Sequence, residues 1–249
     1  KSMIPIETLD SKVKEPGIVE ADTVVHCGTS LEGDYANTLT ITDLLSGWTE
    51  TRATWKKKSS VVMDRIIDIR RSLPFTLKGF SCDNGSEFIN HDLVKYLQGK
   101  NPNAVKFTRR RPYKKNDAAH VEQKNDAFVR QLFGYHRLDR ADFVASMNDI
   151  YKNIWNPFMN HFCPVMKIRK KVRIGGSIRK YYDEPKTPYH RLIDSGKLTE
   201  AQQRKLQAQH DKLDPFALKE SLDKALEIFE EKIRTHNLNR LTKRDEDAA

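Results

Sequence analysis

Between Glu20 and Trp55 the chain offers three short runs that alternate apolar and polar residues, with turn signals between them and no stretch long enough for a helix. "EADTVVHC" reads as a first strand and Gly33-Asp34 as a turn. "NTLTITD", with Leu39 and Ile41 on one face, reads as a half-buried second strand, Ser46-Gly47 as the next turn, and "WTETRATW" as a third strand. From Ser59 the period changes. Val62, Ile66, Ile69 and Leu73 fall on one helical stripe, with Ser59 as the expected N-cap and Pro74 just past the end. A short strand "TLKGFSC" ending on Asp83, a helix "SEFINHDLVKYLQGK" closed by Gly99, and a fifth strand "AVKFT" follow. A meander followed by strands alternating with helices predicts an α/β fold with a mixed five-stranded sheet flanked by helices.

Asn84-Gly85 is a strong turn signal, because glycine adopts positive φ without steric cost and asparagine tolerates it. The turn would set the Asp83 carboxylate at the sheet's edge. If the first and fourth strands are neighbours, Asp22 sits beside it. Val121, Phe128 and Leu132 share a buried helix face, which places Glu122 one step round, at the border between core and cleft. Three carboxylates this close repel unless cations neutralise them, and hard oxygen donors select Mg²⁺ or Mn²⁺. Taken singly, each has a plain structural explanation too, Asp83 as a turn residue first among them.

Charge points to a polyanionic partner. The 249 residues hold 44 Lys and Arg against 34 Asp and Glu, a net charge of +10. The cations cluster in Lys56-Lys57-Lys58, in Arg109-Arg110-Arg111 with Lys114-Lys115 around Tyr113, and in a third run from Lys167 to Lys180 that includes Lys170 and Lys171. Tyr113 fits stacking on a base and packing beside Pro112 equally well. Cys27, Cys82 and Cys163 are scattered, without a CxxC, which argues against a disulfide framework or structural zinc and fits a reducing cytosol. No apolar run is long enough to span a membrane. The start at Lys1-Ser2-Met3 reads as a piece of a longer protein with a domain upstream.

Past residue 162 the character changes. A basic stretch holding Gly175-Gly176 leads to Thr199 and Gln202 at capping-box spacing. Asp214-Pro215 then opens a helix with Leu218, Leu222, Leu226, Phe229 and Ile233 on one stripe. The expected organisation is an extended lead-in (1–19), an α/β core (20–162), a smaller basic and largely helical module (163–240) whose helices need a partner surface, and a disordered tail (241–249).

"EADTVVHCG", "TITDLLSGWTE", "CDNGSEFIN" and "RPYKKNDAAHVEQKN" resemble, in that order, the catalytic core of DDE transposases and retroviral-type integrases, with bacterial insertion-sequence transposases the nearest likeness. The likeness covers roughly residues 15 to 160 and continues more weakly through "KYYDEPKTPYHRLIDSGKL". It implies a ribonuclease-H-like fold, two Mg²⁺ or Mn²⁺ ions held by Asp22, Asp83 and Glu122, no organic cofactor, and cleavage and joining of DNA by a homo-oligomer on element ends and target. The bacterial likeness implies a cytoplasmic, nucleoid-associated setting. It gives Asn125 a place beside the site and makes Lys124 and Arg130, expected on the exposed side of the helix, DNA-facing together with Arg109, Arg110, Arg111, Tyr113, Lys114, Lys115, Lys170 and Lys171. Asp43 competes with Asp22 for the first position, and Glu87 is expected merely to open a helix. His26-Cys27 lacks the second His/Cys pair that zinc would need. No HHCC module is present, so end recognition is expected upstream. The rival readings are a plain metal-dependent nuclease, which cuts without joining, and a domesticated DNA-binding or assembly protein.

Overall fold

The structure is a computed structural model and describes residues 4–7, 13–99, 104–111 and 119–247, without the side chains of residues 119, 120, 122 and 240–247. Strands β1 (Ile18–Val25), β2 (Ala36–Asp43) and β3 (Thr49–Trp55) form the expected antiparallel meander, followed by α1 (Ser59–Ser72), β4 (Gly79–Cys82), α2 (His91–Gln98) and β5 (Lys106–Arg109). The sheet order is β3-β2-β1-β4-β5. β1 pairs antiparallel to β2 and parallel to β4, and β4 pairs parallel to β5. This mixed five-stranded sheet flanked by helices is a ribonuclease-H-like fold.

Pairing register assigns the faces, because side chains alternate along a strand. Val19, Ala21, Leu39, Ile41, Phe80 and Phe107 share one face and pack in a single buried cluster with Val62, Ile66 and Ile69 of α1 and Leu93 and Leu97 of α2. The opposite face carries Glu20, Asp22, Val24 and Ser81. Because helices cover both faces, every residue of β2 is buried, not half of them as the alternation implied. The Ser59 hydroxyl caps nothing; the helix is entered from Lys58 without a side-chain cap. α2 starts late, at His91, where the Asn90 side chain accepts the Leu93 N–H. Gly99 closes it at φ −53°, with a Cβ there 2.5 Å from the Lys95 carbonyl oxygen, so close approach and not a left-handed turn calls for glycine.

After β5 the chain re-enters as one helical run: α3 (Ala119–Asn125), a π turn (Asp126–Arg130) and α4 (Gln131–Phe133). A second run comprises α5 (Phe143–Ile150), a π turn (Tyr151–Trp155) and α6 (Asn156–Phe162). This second run went unread in the sequence, although Phe143, Met147, Ile150 and Tyr151 recur at helical spacing and are buried. Three asparagines on it meet β3. The carboxamides of Asn148, Asn156 and Asn160 bond the main chain at Ala53, Thr51 and Thr49 respectively.

The remaining chain holds an antiparallel hairpin of β6 (Ile168–Ile174) and β7 (Ser177–Tyr182), then α7 (Pro188–Asp194), α8 (Glu200–His210) and α9 (Pro215–Asp247). The hairpin too was unread. Its signal, Gly175-Gly176 between basic and β-branched residues, sits in a run that charge dominates. The Thr199–Gln202 capping box is formed, and Asp214 Oδ1 accepts the Phe216 N–H at 2.8 Å. Tyr189, Leu192 and Leu206 join the first core cluster, whereas Leu222, Phe229 and Ile233 pack with Phe133, Phe143 and Tyr151 on the other side of the sheet. The helices of this segment thus find their partner surface on the core. α9 runs on through Asp247 where a disordered tail was expected, because a helix already nucleated propagates readily through Lys-, Arg- and Glu-rich sequence.

Candidate functional site

Asp22 lies inside β1, and Asp83 is the first residue beyond β4. The parallel register pairs Ile18 with Gly79 and Glu20 with Ser81, and its next step on that face brings Asp22 opposite Asp83. Burial pushes the Asp22 carboxyl above its ordinary range, Arg110 opposes the shift, and the charge of Asp83 adds to it. Arg110 Nη2 stands 3.8 Å from Asp22 Oδ1 and donates to the Ala21 carbonyl at 3.1 Å.

The helix after β5 is fastened to the same strand at two points. The Val121 N–H donates to Glu20 Oε2 at 3.2 Å, and Asn125 Nδ2 donates to Asp22 Oδ2 at 2.8 Å. Glu122 lies between these anchors on α3; its side chain is outside the described residues. Glu20 was missed in the sequence, although it stands two residues before Asp22 and therefore on the same face of β1. Among the described residues no three His, Cys, Asp or Glu side chains gather as a metal site. The donors present nonetheless fit a hard divalent cation: two carboxylates side by side, one disfavoured as an anion by burial, and a buried Asn125 Oδ1 without a hydrogen-bond partner.

The turn after Asp83 departs from expectation. Gly85 does not have positive φ. A Cβ there would lie 2.5 Å from Glu87 Oε2 and 2.9 Å from Asp83 Oδ1, so any side chain at this position would push against both carboxylates. Its N–H donates to Asp83 Oδ1 at 2.9 Å. Glu87 opens no helix. Its buried carboxylate accepts from Thr23 Oγ1 at 2.8 Å and pairs with Lys57 Nζ at 3.1 Å. Burial works against that charge, but bonds from its own backbone N–H and from Thr23, with the charge of Lys57, hold the carboxyl below its ordinary range. Glu87 thus ties the turn bearing Asp83 to the strand bearing Asp22, through the residue next to Asp22. The preceding Lys56 has φ 63°, which no other non-glycine among the described residues shares in sign.

Several expected surface cations are not at the surface. Lys124 is buried, its ammonium 5.1 Å from the Phe128 ring centroid, and burial lowers its pKa to about 8. Arg130 is half-buried, donates to the Val25 carbonyl at 3.0 Å and stacks over Tyr135. The π turn inserted at Asp126–Arg130 changes which residues face the sheet, burying Phe133 and leaving Leu132 half-buried. Arg110 is buried as the counter-charge of Asp22, and Arg109 is spent on Asn84 Oδ1 and the Ile4 carbonyl. Arg111, Lys170 and Lys171 are exposed, whereas Tyr113, Lys114 and Lys115 lie outside the described residues.

Asp43 is consumed by structure: it accepts from the Gly17 and Ser46 N–H groups, each at 2.8 Å, and from Ser46 Oγ at 2.6 Å. His26 is buried with Nε2 2.9 Å from Thr38 Oγ1, and burial pushes its pKa down to about 3, so it is a neutral core residue. No helix among the described residues is long and apolar enough to cross a membrane.

No protein-family model matches the chain. It is 38% identical over 189 residues to the uncharacterized protein y4rM of Sinorhizobium fredii, a match spanning 76% of this chain and 53% of that one. The chain therefore covers about half the length of this curated relative. Among solved structures it is similar to the catalytic core domain of HTLV-2 integrase in complex with magnesium, at 14% identity over 61% of this chain and 91% of that one, with a TM-score of 0.44. It is also similar to the catalytic core domain of BIV integrase, at 18% identity over 72% of this chain and 95% of that one, with a TM-score of 0.42. Strand order and register assign the fold.

Proposed function

We propose that this chain is the catalytic portion of a DDE-type DNA transposase or integrase, which cuts and joins DNA strands by metal-dependent phosphoryl transfer. The observation that carries the reading is Asp22 opposite Asp83 across the parallel β1–β4 pair, with Asn125 of α3 bonded to Asp22. Glu122, on the same helix, is assigned the third carboxylate, and residues 20–162 the catalytic unit. Asp22, Asp83 and Glu122 would hold two Mg²⁺ or Mn²⁺ ions, whose chemistry is to activate a water or 3′-hydroxyl nucleophile and to stabilise the departing oxygen. The residues around them do the rest. Asn125 orients Asp22, Glu20 holds α3 against β1, and Arg110 balances the carboxylate charge from within the core. Exposed Arg111, with Tyr113, Lys114 and Lys115 after it, would guide the DNA backbone into the cleft, and two copies of the chain would hold two DNA ends.

The test is nicking and joining of labelled duplex ends in Mg²⁺ or Mn²⁺, comparing the unaltered chain with Asp83→Asn in the full-length protein. Metal-dependent joining that the variant loses is the expected result. Cutting without joining would make the protein a nuclease, and DNA binding without cutting in either protein would end the enzymatic reading.

A further inference from the structure

The β6–β7 hairpin has the features of a surface waiting for a partner. Its fifteen residues, 168 to 182, include six cations and no acid. Every residue of β7 is exposed, and every residue of β6 except the half-buried Val172. A lone two-stranded ribbon is marginal in water, and this one is further burdened by a like-charge pair, Lys171 directly opposite Lys180. Ile174, Ile178 and Tyr182 also stand exposed without cover.

The root, by contrast, is firmly fixed. Val165 and Lys186 exchange backbone hydrogen bonds, and the Lys167 N–H donates to Asp183 Oδ1 at 2.6 Å. Arg191 grips both Asp183 oxygens, at 2.6 and 3.0 Å. Lys167 Nζ bonds the Leu44 carbonyl at 2.6 Å and that of Leu45, pinning the base of the arm to the turn between β2 and β3. At the tip, Ile174 pairs with Ser177 across Gly175-Gly176, with positive φ at Gly175 alone, as a tight two-residue turn requires. A rigid root and a bare, charged arm describe an appendage that reaches away from the core.

We infer that this hairpin is a DNA-binding arm that lies as a two-stranded ribbon in the major groove of duplex DNA. The inference rests on the proposed function for its choice of polyanion. Register puts Lys171, Arg173 and Lys180 on one face and Lys170 and Arg179 on the other, so cations point to both walls of a groove. The major groove is wide enough for a two-stranded ribbon, phosphates lie along both of its rims, and base methyl groups offer apolar surface to exposed isoleucines. Phosphates on either side also relieve the Lys171–Lys180 repulsion. The arm supplies affinity and orientation, far from any chemistry of its own.

The experiment is fluorescence anisotropy of the full chain with a labelled duplex, across a salt series. Lys171→Ala with Arg173→Ala and Lys180→Ala is expected to weaken binding about tenfold or more and to flatten the log–log salt dependence by roughly 2 to 3, near 0.9 for each phosphate no longer neutralised. Lys171→Arg with Lys180→Arg should keep the charge and the affinity, and Lys205→Ala, which removes an exposed cation of α8, should bind as the unaltered chain does. Hydrogen exchange on the unaltered chain gives a reading that needs no variant: amides of residues 168–182 should slow when duplex is added. Unchanged affinity and slope, absence of that protection, or loss of self-association in place of DNA binding would each overturn the inference. If hairpin-dependent binding persists in a protein that never cuts DNA, the proposed chemistry fails and the arm stands; cutting with a dispensable hairpin is the converse.

Discussion

The side-chain amide of Asn125 donates to Asp22 Oδ2 across 2.8 Å, so the strand and the helix that bear the candidate carboxylates are joined at one of those carboxylates. Its own oxygen, buried and without a hydrogen-bond partner, stays available. Asn125→Ala is expected to weaken Mg²⁺ binding by about 10- to 100-fold, as loss of an orienting partner does at metal sites. Titration calorimetry measures it directly.

Asp22 should trade stability for function. Burial raises its folded-state pKa above the ordinary 3.8. A carboxyl shifted in this direction contributes stability that is full below 3.8 and is lost as pH rises through the folded value, so at neutral pH the ionised group is a burden. Asp22→Asn is expected to raise the metal-free melting temperature at neutral pH while abolishing cleavage. Melts of both proteins across pH, with and without Mg²⁺, test this; Mg²⁺ should stabilise only the unaltered chain.

Gly85 and Glu87 should behave as a coupled pair. A methyl group at position 85 would sit 2.5 Å from Glu87 Oε2, and Glu87 is held in place by Thr23 and Lys57. Gly85→Ala should therefore cut activity sharply by displacing the Asp83 turn. Truncating Glu87 in the same chain should recover part of it. A double-mutant cycle with a coupling of about 0.5–3 kcal/mol is the expected outcome, and simple additivity would contradict the geometry.

The packing of α6 against α7 and α8 should be sensitive to acid. His161 Nδ1 lies 3.1 Å from His210 Nδ1, beneath Tyr189 stacked on His210 with ring centroids 4.0 Å apart. Burial first, and then the charge of His210, lowers the His161 pKa from 6.5 to about 4, so its contribution to stability is present above 6.5 and is lost as pH falls through about 4. Thermal melts over that range should show the loss, and it should shrink in a His210→Gln variant.

Asn160 makes a prediction of a different kind. Its carboxamide takes the N–H of Thr49 at 2.9 Å and donates to the Thr49 carbonyl at 2.8 Å. Asn160→Ala leaves two buried main-chain groups unpaired and is expected to cost about 1–3 kcal/mol for each in denaturant unfolding.

What could be read in the sequence was what repeats. The alternation around Leu39 and Ile41 and the stripe from Val62 to Ile69 sufficed for strands and a helix, and the Asn-Gly after Asp83 for a turn at the strand's end though not for its φ, because each is a local pattern. What escaped depends on neighbours remote in sequence. Glu87 is an ordinary residue until Thr23 and Lys57 close on it, and Arg110 is one of three adjacent arginines until the fold buries it beside Asp22. Lys124 was misread because it stands three residues after Val121, on the edge of the same buried face, where a lysine is not expected. The hairpin was hidden by its charge, which masks the alternation that usually betrays a strand.

The row of asparagines along β3 bears on how copies of this protein can meet. An outer strand with free main-chain groups is a template for another chain, and here both groups of Thr49 and of Ala53 and the carbonyl of Thr51 are already engaged by Asn160, Asn148 and Asn156. At the far side of the sheet, Pro5 and Glu7 exchange hydrogen bonds with Arg109 of β5. Another strand could add at β3 only by displacing these carboxamides, so this edge of the sheet is closed to extension by a second chain.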